Sequence, residues 1–166
     1  PTIGIISGIA WDHINVFPTF DFYVQQFETF AKMIPADGSY IYCADDSVLS
    51  EMSNKIEHPN KKGYSMLPHT IVNGTTVLNT SEGDFPLQIF GKHNLANLNA
   101  AKLACNAVGI SDLQFYNAIT SFKGASNRLE LLYKDEQTAA YKDFAHSPSK
   151  LKATITAVRE QYPDKK

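Results

Sequence analysis

The sequence lacks most of the motifs that announce a function by themselves. It has no GxxxxGK[ST] run, no GxSxG and no HExxH, so it carries neither a complete phosphate-binding loop, nor a serine nucleophile elbow, nor a helical zinc site. No stretch approaches the roughly 20 apolar residues of a membrane-spanning helix, and no charged leader precedes an apolar segment. We therefore expect a cytoplasmic chain with no membrane partner. A basic surplus is also missing: 15 Lys and Arg stand against 17 Asp and Glu, a formal net charge of -2. That removes the bulk electrostatic reason to expect nucleic acid. Cysteine is scarce, with Cys43 and Cys105 far apart and no CxxC spacing, which suits a reducing compartment rather than a disulfide framework. An initiator methionine is absent too: Pro1-Thr2-Ile3-Gly4-Ile5-Ile6 runs directly into an apolar segment, and a helical pattern breaks off after Tyr162. Both ends lead us to expect a longer natural chain.

What is present is enough apolar residue, 43% of 166, to bury the core of one domain, or of one domain and part of another. Residues 3–9 are a short β-branched run that reads as a buried strand. Ala10-Trp11-Asp12-His13 follow at its carboxyl end, where open α/β sheets place ligands. Phe20, Tyr23, Val24, Phe27, Phe30, Ala31 and Ile34 repeat at the helical period behind Pro18 and Thr19. Residues 39–43 read as a second buried strand, and Asp46 or Ser47 is placed to cap a short helix that ends at His58-Pro59-Asn60. The chain thus opens as β-α-β-α. The period then drops to two: residues 63–67, 70–72, 75–79 and 85–90 predict a small antiparallel sheet, with Asn73-Gly74 as a hairpin turn. Helices are expected over 94–108, alanine-rich and closed by Gly109, and over 111–122, capped by Ser111 or Asp112. Small polar residues at 123–127 read as a linker. Strands over 128–133 and 138–142 and a helix opened by Ser147 and Pro148 complete the pattern.

Four constellations could carry chemistry, and each has a plainer structural use. Asp12-His13 at a strand end could meet a divalent ion or phosphate oxygens, or be a capping carboxylate beside a surface imidazole. His93 and Asn97, four apart on one helix face, could converge on a planar, two-edged ligand such as a purine, or belong to a helix start that uses Asn for capping. Arg128, just past the linker, could reach a phosphate or form a surface ion pair. Asp143 ends a strand and could accept from ribose hydroxyls, and His146 lies before a helix N-terminus that attracts anions.

Taken in order, these segments resemble the Mur ligase family, ATP-dependent enzymes that join amino acids or peptides to UDP-N-acetylmuramate. The family pattern of a strand ending in DH, a GxHNxxNxxAA helix, an FxGxxxR junction and a D-[YF]-[AG]-H-[HS]-P segment matches Asp12-His13 and residues 91–101, 122–128 and 143–148. The resemblance implies an α/β fold. Residues 1–124 would be the later part of a P-loop-type central ATPase domain with a small antiparallel sheet, and residues 125–166 the start of a Rossmann-like C-terminal domain that receives the amine. It implies an ATP-dependent carbon–nitrogen ligase working through an acyl phosphate with ATP and Mg2+, inactive in this piece because the phosphate-binding loop lies outside it. Residues 9–13 and 144–150 look most like the murein peptide ligase branch, which recycles the murein tripeptide onto UDP-N-acetylmuramate. The alternatives are the branch that adds L-alanine to the same sugar and, in another class, a non-catalytic nucleotide-binding or interaction module. By the resemblance His13 would help hold magnesium, His93 and Asn97 would read adenine, Arg128 would meet the γ-phosphate, Asp143 would bind ribose, and His146 would lie near the incoming peptide. Two departures stand out. Lys142 precedes Asp143 and Ser147 follows His146, so a second imidazole has no place here, and Lys32 is not assigned the role of the family's carbamylated lysine.

Overall fold

The structure, a computed structural model, describes residues 1–165. Grouped by proximity, the chain forms two compact units, one of residues Pro1–Ser65 and Ala96–Ile110, the other of Met66–Leu95 and the residues from Ser111 onward.

The first unit is built on three parallel strands, β1 (Ile3–Ile6), β2 (Ser39–Cys43) and β3 (Lys61–Tyr64), in the order β1-β2-β3. Helix α1 (Phe20–Lys32) joins β1 to β2, and α2 (Ser47–Asn54) joins β2 to β3. Thr19 caps α1 by accepting the Phe22 N–H at 3.2 Å. Asp46 caps α2 with Oδ1, 2.9 Å from the Leu49 nitrogen, while its Oδ2 accepts the Ile9 N–H at 2.8 Å. One carboxylate thus satisfies an open helix end and ties down the segment that leaves β1. Ile6, Ile9, Ala31, Ile34, Tyr40, Ile41, Leu49 and Met52 are buried together. The buried Tyr40 and Ser53 hydroxyls pair at 2.6 Å. Helix α3 (Lys92–Ala107) lends this core Ala96, Ala100, Leu103 and Ala104, small side chains that let the helix sit close.

The second unit holds an antiparallel sheet of β4 (His69–Val72), β5 (Thr75–Thr80) and β6 (Gly83–Leu87), the first turn of α3, helix α4 (Asp112–Ile119), a hairpin of β7 (Glu130–Lys134) and β8 (Ala139–Lys142), and α5 (Pro148–Gln161). Asn73 and Gly74 both have positive φ, 51° and 71°, as a two-residue turn matched to strand twist requires. Ser111, rather than Asp112, caps α4 and forms a reciprocal capping box with Gln114. Sheet and α5 are joined by a buried polar contact: the Thr76 hydroxyl donates to Gln161 Oε1 at 3.0 Å, and Gln161 Nε2 donates to the Gly74 carbonyl at 2.8 Å. Beside it, Phe90, Leu129, Ala157 and Tyr162 form a second buried cluster, with Tyr141 and Val158 packed on it.

The expected mixed α/β architecture with its small antiparallel sheet is present. One assignment needs correction: the run at 63–67 does not open the antiparallel sheet. Its strand begins at Lys61 and pairs parallel with β2, Tyr40 opposite Lys61 and Cys43 opposite Tyr64. The Lys61 ammonium donates to the carbonyls of Ser53 and Ile56 at 2.9 and 2.8 Å, closing the end of α2, so a charged residue serves where an apolar one signals a strand.

Candidate functional site

Three of the singled-out residues, His93, Arg128 and Asp143, come together in the second unit. His93 lies in the first turn of α3, after Gly91 turns the chain into the helix with φ of 91°. A Cβ at Gly91 would stand 2.7 Å from Cβ of Ala157 on α5 and 3.2 Å from the His93 ring, so glycine is required there by conformation and by space. The turn is fixed further by Leu95 N–H donating to the Gly91 carbonyl at 3.0 Å and Asn94 Nδ2 to the Phe90 carbonyl at 2.9 Å. Lys92 pairs with Glu160 of α5 at 2.9 Å.

The half-buried His93 imidazole is held below the ordinary histidine range, first by desolvation. Asp143 opposes that shift and the Arg128 guanidinium adds to it. His93 is therefore a neutral ring, with one nitrogen donating and the other accepting. Asn97 lies one turn further along α3, exposed, as the four-residue spacing requires.

Asp143 follows directly on β8, and its Oδ2 accepts the Leu129 N–H at 2.8 Å. Arg128 does not open a strand as expected, because β7 begins at Glu130. Residues on both sides of Arg128 take left-handed backbone conformations, Asn127 at φ 56° and Leu129 at φ 47°, and that interrupts any extended run. The Arg128 side chain is exposed and its guanidinium carbon lies 5.9 Å from the centre of the Phe144 ring. His146 stands 5.0 Å from the same ring and faces the Phe144 carbonyl with Nδ1 at 2.9 Å. A carbonyl can only accept, so Nδ1 carries the proton and Nε2 is the accepting nitrogen.

His13 belongs to the first unit. It is exposed at φ 55°, its N–H donates to Oδ1 of Asp12 at 2.8 Å, and its carbonyl accepts the N–H groups of Val16 and Phe17. No group of three His, Cys, Asp or Glu able to cage a metal occurs among the described residues. A magnesium ion at His13 would have one protein nitrogen and would draw its other ligands from water and phosphate oxygens, as Mg2+ commonly does. The side chains grouped in the second unit are a neutral imidazole, a carboxylate and a guanidinium, which can pair with a base edge, with hydroxyls and with phosphate oxygens respectively.

Reasoning from sequence passes over Glu130 and the second contact of Asp46. Glu130 Oε2 accepts the Asn127 N–H at 2.9 Å, with the Ser126 hydroxyl at 3.5 Å. Its only sequence signal is a carboxylate three residues after an Asn in a small polar stretch. Asp46 was legible as a cap, but its second oxygen, on Ile9, was not.

Comparison with known proteins gives a consistent family signal. The profile of the Mur ligase middle domain matches residues 1–105. A UDP-N-acetylmuramate–L-alanine ligase of Alkaliphilus metalliredigens (strain QYMF) is 30% identical over all of this chain and 39% of its own length. Another, from Arthrobacter sp. (strain FB24), is 26% identical over all of this chain and 38% of its own length. The chain thus spans well under half of these curated relatives. Among solved structures, UDP-N-acetylmuramate–alanine ligase from Thermotoga maritima superposes with a TM-score of 0.73 at 19% identity, covering 98% of this chain and 39% of that one. A murein peptide ligase from Psychrobacter arcticus 273-4 gives 0.62 at 19% identity, covering 99% and 36%. A MurF ligase from Thermotoga maritima in complex with ADP gives 0.71 at 14% identity, covering 99% and 39%.

Proposed function

The chain belongs to the Mur ligase family through its middle domain, and from that premise we propose that it is the later part of an ATP-dependent amide ligase acting on UDP-N-acetylmuramate. Its functional boundary lies near Gly124, between an ATPase part and the start of an amine-receiving part, in a cytoplasmic enzyme of peptidoglycan metabolism. The observation that carries the reading is the meeting of His93, Arg128 and Asp143 from three separate segments around one half-buried neutral imidazole.

In this reading His93 and Asn97 hold the adenine edge, the ring offering one donor and one acceptor. Asp143 accepts from ribose, and Arg128 neutralises charge on the terminal phosphate, where a planar guanidinium can bind two oxygens at once. His13 supplies one ligand to magnesium, which when bound would neutralise phosphate charge. ATP supplies the phosphoryl group that activates the sugar carboxylate as an acyl phosphate, which the incoming amine then attacks. The phosphate-binding loop such chemistry needs is not in these 166 residues, so the piece alone is expected to be inactive. His146, exposed, lies beside the amine substrate, with Nε2 as its accepting nitrogen.

The amine we assign is the murein tripeptide, on the character of residues 9–13 and 144–150. A second reading, L-alanine as the amine, is favoured by the names of the relatives at 26–30% identity. The test is ATP-dependent ligation by the full-length protein, offered UDP-N-acetylmuramate with tripeptide or with L-alanine. Turnover with tripeptide supports the recycling ligase, turnover with L-alanine alone moves the assignment to the biosynthetic one, and turnover with neither overturns both.

A further inference from the structure

Arg128 is exposed, yet the backbone that presents it is unusually determined. Left-handed φ at two non-glycine residues, Asn127 and Leu129, persists only where surroundings enforce it. Here every N–H from 127 to 129 has a named acceptor: Asn127 on Glu130 Oε2 at 2.9 Å, Arg128 on the Ala125 carbonyl at 3.1 Å, and Leu129 on Asp143 Oδ2 at 2.8 Å. The Asn127 carbonyl accepts the Phe144 N–H at 2.9 Å. Leu129 is 7% exposed, packed in the cluster of Phe90, Ala157 and Tyr162. One flank of Arg128 is thus fixed by burial and by Asp143. The other flank depends for its amide on a single side chain, Glu130, which reaches back three residues.

We propose that Glu130 is a positioning residue. By accepting the Asn127 N–H it holds residues 125–130 in the one conformation that aims the Arg128 guanidinium at the nucleotide phosphate. The inference rests on the phosphate role given to Arg128 above. Glu130 touches no reacting atom, and what matters is the reach of its oxygen rather than its charge. Glu130→Gln keeps an acceptor at the same distance from the backbone. Glu130→Asp keeps the charge but is one methylene too short.

The experiment pairs these two conservative variants, with and without Arg128→Ala, in the full-length protein. E130D is expected to lower kcat about tenfold, less than the roughly hundredfold that a full ångström of misplacement can cost, with KM for ATP and the melting temperature little changed. E130Q is expected to keep wild-type kcat. In the R128A background E130D is expected to cost nothing further, because its effect runs through Arg128. Amide hydrogen exchange over 126–130 in the nucleotide-free protein supplies a readout independent of turnover: faster in E130D, unchanged in E130Q. Additive losses in the double variant, or equal kcat losses in E130D and E130Q, overturn the positioning role while leaving the ligase reading in place. Wild-type turnover in R128A alone overturns the reading of Arg128 itself, and the positioning role with it.

Discussion

His93 sits where burial and two opposite charges meet, and its protonation is the residue-scale quantity most open to measurement. Its folded pKa is depressed, so folding disfavours the protonated ring. The stability this neutral imidazole contributes is therefore complete above the ordinary histidine range and is lost as pH falls through the depressed folded value. We expect the His93 ring signal in an NMR titration to move at lower pH than in the unfolded chain, and Asp143→Asn to lower it further by removing the opposing carboxylate. A rise in D143N would contradict the field described here. Gly91 offers a second test. Gly91→Ala imposes a left-handed φ on a residue with a Cβ and drives that atom to 2.7 Å from Ala157. The cost should be on the order of 2 kcal/mol or more, read as a lower denaturant midpoint.

At the scale of elements, the contact between β5 and α5 turns on Gln161. Gln161→Leu leaves the buried Thr76 hydroxyl without an acceptor and the Gly74 carbonyl without a side-chain donor. The expected loss is about 1–3 kcal/mol, of which Thr76→Val in the same chain should return part, since removing both partners is cheaper than orphaning one. Equal losses in the single and double variants would show that the pair contributes packing alone. Contacts of this kind also mark how far sequence reading reaches. Helix α1, helix α4 with a cap at Ser111 or Asp112, the Asn73-Gly74 turn and the β-α-β-α opening are legible, because periodicity, capping and turn chemistry are local. Strand β3 was misplaced, because Lys61 takes part through its long stem and a distant pair of carbonyls. The hairpin start at Glu130 was missed for a related reason: Leu129 is held in a left-handed conformation by burial and by Asp143, fourteen residues away. His93, Arg128 and Asp143 could each be named from sequence, but not their mutual field, which is tertiary.

For the whole molecule, several apolar surfaces stay uncovered within the individual units. In the second unit the consecutive residues Leu131 and Leu132 of β7 are 51% and 62% exposed, at a register shift in the hairpin, and Leu151 and Ile155 of α5 are 50% and 44% exposed. In the first unit β1 is an edge strand with Ile5 at 39%, beside a cavity of about 350 Å³ lined by Ile5, Gly8, Phe27 and Phe30. Open edges and apolar faces favour association. The 166-residue chain by itself is expected to self-associate with rising concentration in sedimentation velocity, and Leu132→Lys to reduce that. A monomer at all concentrations would contradict it.

The hydrogen bond between Asp143 and the Leu129 amide has a thermodynamic corollary. One carboxylate oxygen, Oδ2, serves the loop that carries Arg128. If a ribose-bearing ligand engages Asp143, the group that receives the ligand and the group that orders the loop are the same. The two events must then favour or oppose one another by an identical factor in either direction. Nucleotide affinity measured in Leu129 and Asn127 variants, set against loop exchange rates with and without nucleotide, would give that factor twice, and the two values must agree.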